Sequence, residues 1–215
     1  TREIFEGLKP FFNATEGFFF TETPRAGLHS LLRFEEAPLC FIALTGDGAT
    51  SFMLEKTAWG TAVAREKMHW PLNSLFESIS AAIPASRNVI FELYDRHTRK
   101  EVSDHFSRGL MKIMKPQIEA FFTEVRNSKL KGRAYLHSPV KLPLSLPVRE
   151  GKVEVDEIPL ALVLEKSGFS LEAEEWPFSN GDIFMRVAPF LEFYYDKSDS
   201  LINHKLRRRV HWLIQ

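Results

Sequence analysis

Residues 140–146 alternate between apolar side chains and polar or proline residues. The apolar members occupy every second position: Val140, Leu142, Leu144 and Leu146. Because successive strand side chains point to opposite faces of a sheet, this pattern predicts a β-strand with one buried face. Pro143 and Pro147 lack a backbone N–H, which favours an edge strand or an extended arm. The segment therefore indicates that this half of the chain is rich in β-structure.

Further strand patterns continue to about Val187. They are Val153–Asp156, Ile158–Leu164, Phe169–Ala173 and Ile183–Val187. Turn residues separate them, and Asn180-Gly181 is the strongest hairpin dipeptide in the chain. Together these signals predict a mainly antiparallel β-meander. A C-terminal helix is predicted at 200–212, because apolar residues there recur at helical spacing, although the alternation of Val210, Trp212 and Ile214 also fits a strand.

The N-terminal half mixes strand and helix patterns. Leu39–Leu44 and Ser51–Leu54 are separated by Thr45–Ala49, whose two glycines suit a tight turn, so a hairpin is predicted. The Gly-Asp-Gly sequence in this turn lacks the spacing of the known phosphate-binding loops. Pro71–Ile83 has apolar residues at helical spacing and predicts a helix. Asn88–Tyr94 predicts a strand, with Val89, Phe91 and Leu93 on one face.

Two further helices are predicted at Lys100–Met114 and Gln117–Asn127, on either side of Pro116. The proline either kinks one long helix or begins the second one. Each segment has one apolar stripe. The opposite faces are basic and carry Arg99, Arg108, Lys112, Lys115 and Arg126.

The polar, basic segment 127–133 is the best candidate for a domain boundary, because composition and periodicity both change there. It divides the chain into a mixed α+β subdomain at 1–128 and a β-rich subdomain at 134–215 with a terminal basic helix. A single domain is also compatible with this length. The predicted fold class is α+β: a mixed N-terminal part with two or three helices, then a mainly antiparallel β-meander and a C-terminal helix.

The composition is typical of a globular intracellular protein. Of the 215 residues, 44% are hydrophobic and 26% charged, and the 19 phenylalanines indicate a large core. Cys40 is the single cysteine and lies in an apolar run, which favours a buried structural thiol. No segment has the length of a membrane span. We therefore expect a cytoplasmic protein with no membrane partner, and no residue pattern predicts a cofactor.

The net charge is zero, but the charges are segregated. Residues 96–133 contain ten Lys and Arg against four Asp and Glu, whereas residues 149–199 contain five against twelve. Such asymmetry is compatible with an anionic partner for the basic part. The alternative is that the basic and acidic parts face each other within one fold.

One cluster of titratable residues could support chemistry. Asp95, His97, Asp104 and His105 lie within eleven residues, and aspartate with histidine can act as an acid–base or metal pair. The spacing matches no zinc or hydrolase motif, and Asp104 also suits the first turn of a helix. A structural role is the more common outcome for such a cluster.

Two basic groups could contact nucleic acid. The first lies in the link and comprises Lys129, Lys131 and Arg133; the second, near the C-terminus, comprises Lys205, Arg208, Arg209 and Trp212. Cations beside an exposed indole suit phosphate contact with base stacking. The sequence pI of about 7.0 lacks the basic excess of a dedicated nucleic-acid-binding domain.

Three hypotheses follow in order of preference. The first is a non-catalytic binding or regulatory module with a protein partner, part of a larger intracellular protein or assembly. The second is a nucleic-acid-binding domain that uses the two basic groups. The third is a hydrolase or metal-dependent enzyme centred on Asp95, His97, Asp104 and His105. No catalytic residue and no metal ligand set can be assigned from spacing.

Overall fold

The computed structural model of this chain describes residues 23–58, 60–169 and 180–195. Its strands are β1 (Leu39–Thr45), β2 (Gly48–Thr57), β3 (Gly60–Met68), β4 (Gly132–His137), β5 (Val148–Glu150) and β6 (Val153–Glu157). The described helices are α1 (Thr23–Leu31), α2 (Asn73–Ala82), α3 (Arg87–Thr98), α4 (Asp104–Asn127), α5 (Leu160–Lys166) and α6 (Asn180–Tyr195). Helices packed on a sheet confirm the predicted α+β class.

The six strands form one mixed sheet in the order β3-β2-β1-β4-β6-β5. The predicted hairpin at Thr45–Ala49 is confirmed, since β1 pairs with β2 in antiparallel fashion, and β3 adds to the other edge of β2. Strand β4 lies parallel to both β1 and β6. Strands from both sides of the predicted boundary at 127–133 therefore share a sheet, and the division into two subdomains stays a prediction.

Helices cover both faces of the sheet. Cys40 and Ile42 of β1 point into the core formed with α2, α3 and α4. Leu39 and Phe41 point into the opposite core, formed with α1, α5 and α6. Strands that are buried on both faces are apolar at successive positions, which explains the continuous run at 39–44.

The helices predicted in the middle of the chain are confirmed. Pro71–Ile83 contains α2, and the segments on either side of Pro116 form the single 24-residue helix α4, which begins at Asp104 and not at Lys100 as predicted. Ser103 caps α4, because its hydroxyl accepts a hydrogen bond from the Phe106 amide at 3.3 Å. Pro116 has no N–H, so the Lys112 carbonyl lacks its usual helical donor. The proline is exposed, where water can hydrate that carbonyl.

The strand predicted at Asn88–Tyr94 is wrong, because these residues lie in helix α3. The residues that α3 buries are Ile90, Tyr94 and His97, at spacings of four and three. Val89, which the strand pattern assigned to the buried face, is 44% exposed. The buried helical stripe continues to His97, beyond the seven residues of the strand pattern. The short window therefore did not include enough of the stripe to distinguish a helix from a strand.

The strand predicted at Val140–Leu146 is also wrong, although its assignment of faces is confirmed. Residues 138–147 form an irregular connection between β4 and β5, which we call the apolar segment. Its four alternating apolar residues are half-buried against the core, while Lys141 and Ser145 are exposed. Pro143 and Pro147 remove backbone donors, so the segment cannot supply a complete strand ladder.

Two other predicted strands are helices. Ile158–Leu164 mostly lies in α5, and Ile183–Val187 lies in α6, which begins at Asn180 where a hairpin turn was expected. Short apolar runs fit a buried helix as well as a strand, and packing decides between them. Val153–Asp156 is a strand as predicted, and the antiparallel meander is reduced to the β5–β6 hairpin. The strand predicted at 169–173, apart from Phe169, and the helix at 200–212 lie outside the described residues.

Candidate functional site

The predicted acid–base cluster is divided among local structural contacts. Asp95 forms an exposed ion pair with Arg99 at 3.0 Å, and Asp104 occupies the first turn of α4. His97 is 9% exposed, and its Nδ1 lies 3.1 Å from the Ser107 hydroxyl. Burial lowers the pKa of His97, which favours the neutral imidazole. This histidine therefore links α3 to α4.

His105, the fourth member of that cluster, is exposed on α4. Within the described residues, no group of three His, Cys, Asp or Glu side chains is arranged to hold a metal ion. Cys40 is buried, and its thiol donates a hydrogen bond to the Lys131 carbonyl at 3.2 Å. Burial raises the pKa of Cys40 to about 11, so the thiol stays protonated and poorly nucleophilic. The interpretation of Cys40 as a structural thiol is confirmed.

The basic residues of the link contact acidic groups of the same fold. Lys131 pairs with Glu55 at 2.5 Å, and Arg133 pairs with Glu35 at 3.3 Å. The backbone amide of Lys129 donates to a Glu66 carboxylate oxygen at 3.2 Å. Two of the three cations thus have carboxylate partners within the molecule.

The terminal basic group of Lys205, Arg208, Arg209 and Trp212 lies outside the described residues. Its convergence with the link therefore stays a prediction. No described helix combines the length and apolar character that a membrane span requires.

Of the residues predicted to form the basic faces, Arg108, Lys112, Lys115 and Arg126 lie on α4, whereas Arg99 lies at the C-terminal end of α3. Leu110, Met114 and Phe121 are buried against the sheet. Arg108 and Lys112 are exposed one turn apart. Lys115 continues this row, so the three cations occupy positions i, i+4 and i+7 along one side of the helix. We call Arg108, Lys112 and Lys115 the basic row.

A concave surface lies between the basic row and the apolar segment. This hollow has a volume of about 380 Å³, and we call it the α4 groove. Helix α4 supplies Met111, Lys112, Lys115, Ile118 and Glu119 to its wall, and the apolar segment supplies Pro143, Leu144 and Ser145. The surface therefore combines apolar side chains with a charged rim.

Both walls of the α4 groove are held in position by contacts to the core. The Tyr94 hydroxyl donates to the Lys141 carbonyl at 2.7 Å and anchors the apolar segment to α3. The Trp70 indole donates to the Gln117 carbonyl at 2.8 Å and anchors the middle of α4. The groove is thus preformed in the folded chain.

A second hollow of about 350 Å³ adjoins the first, and Leu144 lines both. It lies beside the carboxyl ends of β4 and β6, where Leu136 and Ile158 contribute apolar walls. Nearby, His137 Nε2 lies 3.2 Å from an Asp182 carboxylate oxygen and links β4 to α6. Leu144 therefore forms a ridge between two concave surfaces.

No pattern in the sequence predicts the α4 groove. Its two walls are separated by more than twenty residues along the chain, and no motif spacing connects them. The sequence does indicate each wall of the groove separately. One wall corresponds to the basic face of the helix, and the other to the alternation of apolar residues around Pro143 and Leu144.

Comparisons with known proteins give little further information. No family model matches this chain, and no curated protein matches it. It has weak similarity to a solved structure described as a PilM-PilN type IV pilus biogenesis complex, with a TM-score of 0.38 and 16% sequence identity. The match covers 55% of this chain and 34% of that chain. A similarity of this strength supports no conclusion about function.

Proposed function

We propose that this chain is a non-catalytic binding module of a larger intracellular assembly, and that it binds a protein partner at the α4 groove. The observation that carries the proposal is the composition of this concave surface. Met111, Ile118 and Leu144 supply apolar area, and Lys112 and Lys115 supply charge at the rim. An apolar centre with a polar rim is the arrangement of protein interfaces.

The individual side chains suit adaptable contact. Met111 is unbranched and polarisable, so it can adjust to different apolar partner groups. Leu144 is half-buried and lines both hollows, so it offers a central apolar contact. Burial of this side chain against a partner would remove apolar surface from water, which favours association.

The anchoring of the walls also supports a binding role. A preformed surface loses less conformational entropy on association than a loop that must first become ordered. The hydrogen bond from Tyr94 restrains the apolar segment, and the bond from Trp70 restrains α4. A partner would therefore meet a surface that needs little rearrangement.

Site-specific photocrosslinking tests this proposal in the cells that naturally make the protein. A photoreactive phenylalanine analogue replaces Ser145, which is exposed at the groove, and in a control it replaces Lys67, which is exposed on β3. We expect a discrete protein adduct from position 145 that position 67 does not form. The partner identified by mass spectrometry should then bind the purified chain, and Ser145→Trp should weaken that binding by filling the groove.

Equal adducts at both positions would contradict the proposal. So would a purified partner whose affinity is the same for the wild-type chain and for Ser145→Trp. A melting temperature close to wild type for Ser145→Trp shows that any loss of binding comes from the groove and not from unfolding.

A further inference from the structure

Resting on this proposed function, we infer that the α4 groove binds an extended acidic segment of the partner, in which one apolar side chain lies between two carboxylates. Two features of the described residues carry the inference. They are the basic row and the small volume of the groove.

The basic row provides charge complementarity. Lys115 has a weak contact with Glu119, at 3.6 Å and with both side chains more than 60% exposed. Such an exposed pair contributes little to stability and is easily exchanged. The Arg108 Nε–H donates to the backbone carbonyl of Asp104. Because this carbonyl is neutral, the contact does not neutralise the positive charge of Arg108. Partner carboxylates would therefore replace water around Lys112 and Lys115 without breaking a strong interaction.

The spacing of the two lysines fits an extended chain. Helix positions three residues apart have Cβ atoms about 5–6 Å apart. Alternate side chains of an extended segment lie about 6.6 Å apart on the same side of the backbone. Carboxylates at positions i and i+2 can thus face Lys112 and Lys115. The residue between them points to the other side, where Pro143 and Leu144 form the opposite wall.

The size of the groove favours an extended partner over a helical one. A hollow of about 380 Å³ suits one or a few side chains better than a helix about 10–12 Å across.

Selection from a random peptide library displayed on phage tests this inference with the full chain. We expect enriched peptides to share an acid–apolar–acid pattern. Fluorescence anisotropy with a labelled synthetic consensus peptide then measures affinity. The double variant Lys112→Gln/Lys115→Gln should raise its Kd about tenfold, with a larger difference at low salt, because two charge contacts are lost. The matched control Lys56→Gln/Lys67→Gln, on β2 and β3, should leave the Kd unchanged.

Glu119→Gln provides a test of opposite sign. It removes a carboxylate that competes for Lys115, so the acidic peptide should bind more tightly. An unchanged or weaker affinity of this variant would count against the inference. The expected gain of affinity cannot result from a loss of folding.

The remaining outcomes separate the inference from the proposed function. The selection could enrich peptides whose binding is blocked by Ser145→Trp but that are not acidic, or whose affinity does not change in Lys112→Gln/Lys115→Gln. Such peptides would overturn the inference and still support the α4 groove as the docking site. A selection without any groove-dependent peptide would count against both. The chain could also bind a labelled single-stranded oligonucleotide more tightly than the peptide, in a salt-dependent manner, and lose this binding in the same double variant. That result would overturn the inference of an acidic peptide ligand and favour nucleic acid.

Discussion

The hydroxyl of Tyr94 connects the stability of the fold to the shape of the α4 groove. Tyr94 is 3% exposed and donates to the Lys141 carbonyl at 2.7 Å. Tyr94→Phe removes this bond and little else. Because Lys141 is exposed, water can hydrate its carbonyl, so the cost should be the net value of one hydrogen bond, about 1 kcal/mol. That corresponds to roughly a fivefold smaller folding equilibrium constant.

Urea unfolding measures this cost, and the denaturant slope should stay the same because the folded surface is unchanged. Hydrogen exchange should be faster in the amides of the apolar segment, and the consensus peptide should bind more weakly. Tyr135→Phe is the matched control, since Tyr135 is also buried and its hydroxyl donates to a Glu35 carboxylate oxygen away from the groove. An unchanged free energy of unfolding for Tyr94→Phe, or equal effects of both variants on peptide binding, would refute the reasoning.

Three other substitutions and one control variant test the fold. Leu144→Asp places a carboxylate against the core and should lower the free energy of unfolding by about 2–3 kcal/mol; an unchanged melting curve would identify residues 138–147 as a free arm. Gly132→Ala should destabilise by about 1–3 kcal/mol, because φ is +76° and a Cβ would lie 2.9 Å from the Pro38 carbonyl. Its control, Gly109→Ala, has open space in α4 and should stabilise by about 0.5–1 kcal/mol, as measured by urea unfolding. His97 has a lowered pKa, so the unfolded chain binds the proton more readily. Stability should therefore fall as the pH drops below about 6.5, and His97→Gln should flatten this dependence in melting curves taken between neutral and acidic pH.

Local sequence patterns predicted the elements in which the whole pattern lies within the element itself. The β1–β2 hairpin follows from two apolar runs around Gly46 and Gly48, and α4 follows from apolar stripes that repeat over several turns. In the apolar segment the alternation predicted the buried face correctly. The missing strand ladder there is a consequence of Pro143 and Pro147.

Short apolar runs could not be assigned without packing partners. Residues 160–164 and 183–187 are helical because Leu160, Ile183 and Phe184 pack against one face of the sheet. The parallel pairing of β1, β4 and β6 joins residues that are far apart in sequence. Such pairing depends on how the connecting helices cover the two faces, which no local pattern encodes.

The candidate site was less predictable than the fold. The density of positive charge in the link suggested Lys131 and Arg133 as nucleic-acid contacts. In the structure, each of them pairs with a glutamate that is distant in sequence. Conversely, Lys112 and Lys115 were recognised only as part of a basic helical face. Their significance depends on the hollow beside Leu144, which forms only when the apolar segment packs next to α4.

Two-dimensional NMR of the isotope-labelled chain is the most direct test that the α4 groove is the binding surface. The spectrum is recorded with and without the partner segment identified by crosslinking, or with the selected peptide. We expect amide shift changes concentrated at residues 111–115, 117–119 and 144–145, and their loss in Ser145→Trp. Changes concentrated elsewhere, such as along β3 or around His137 and Asp182, would contradict it.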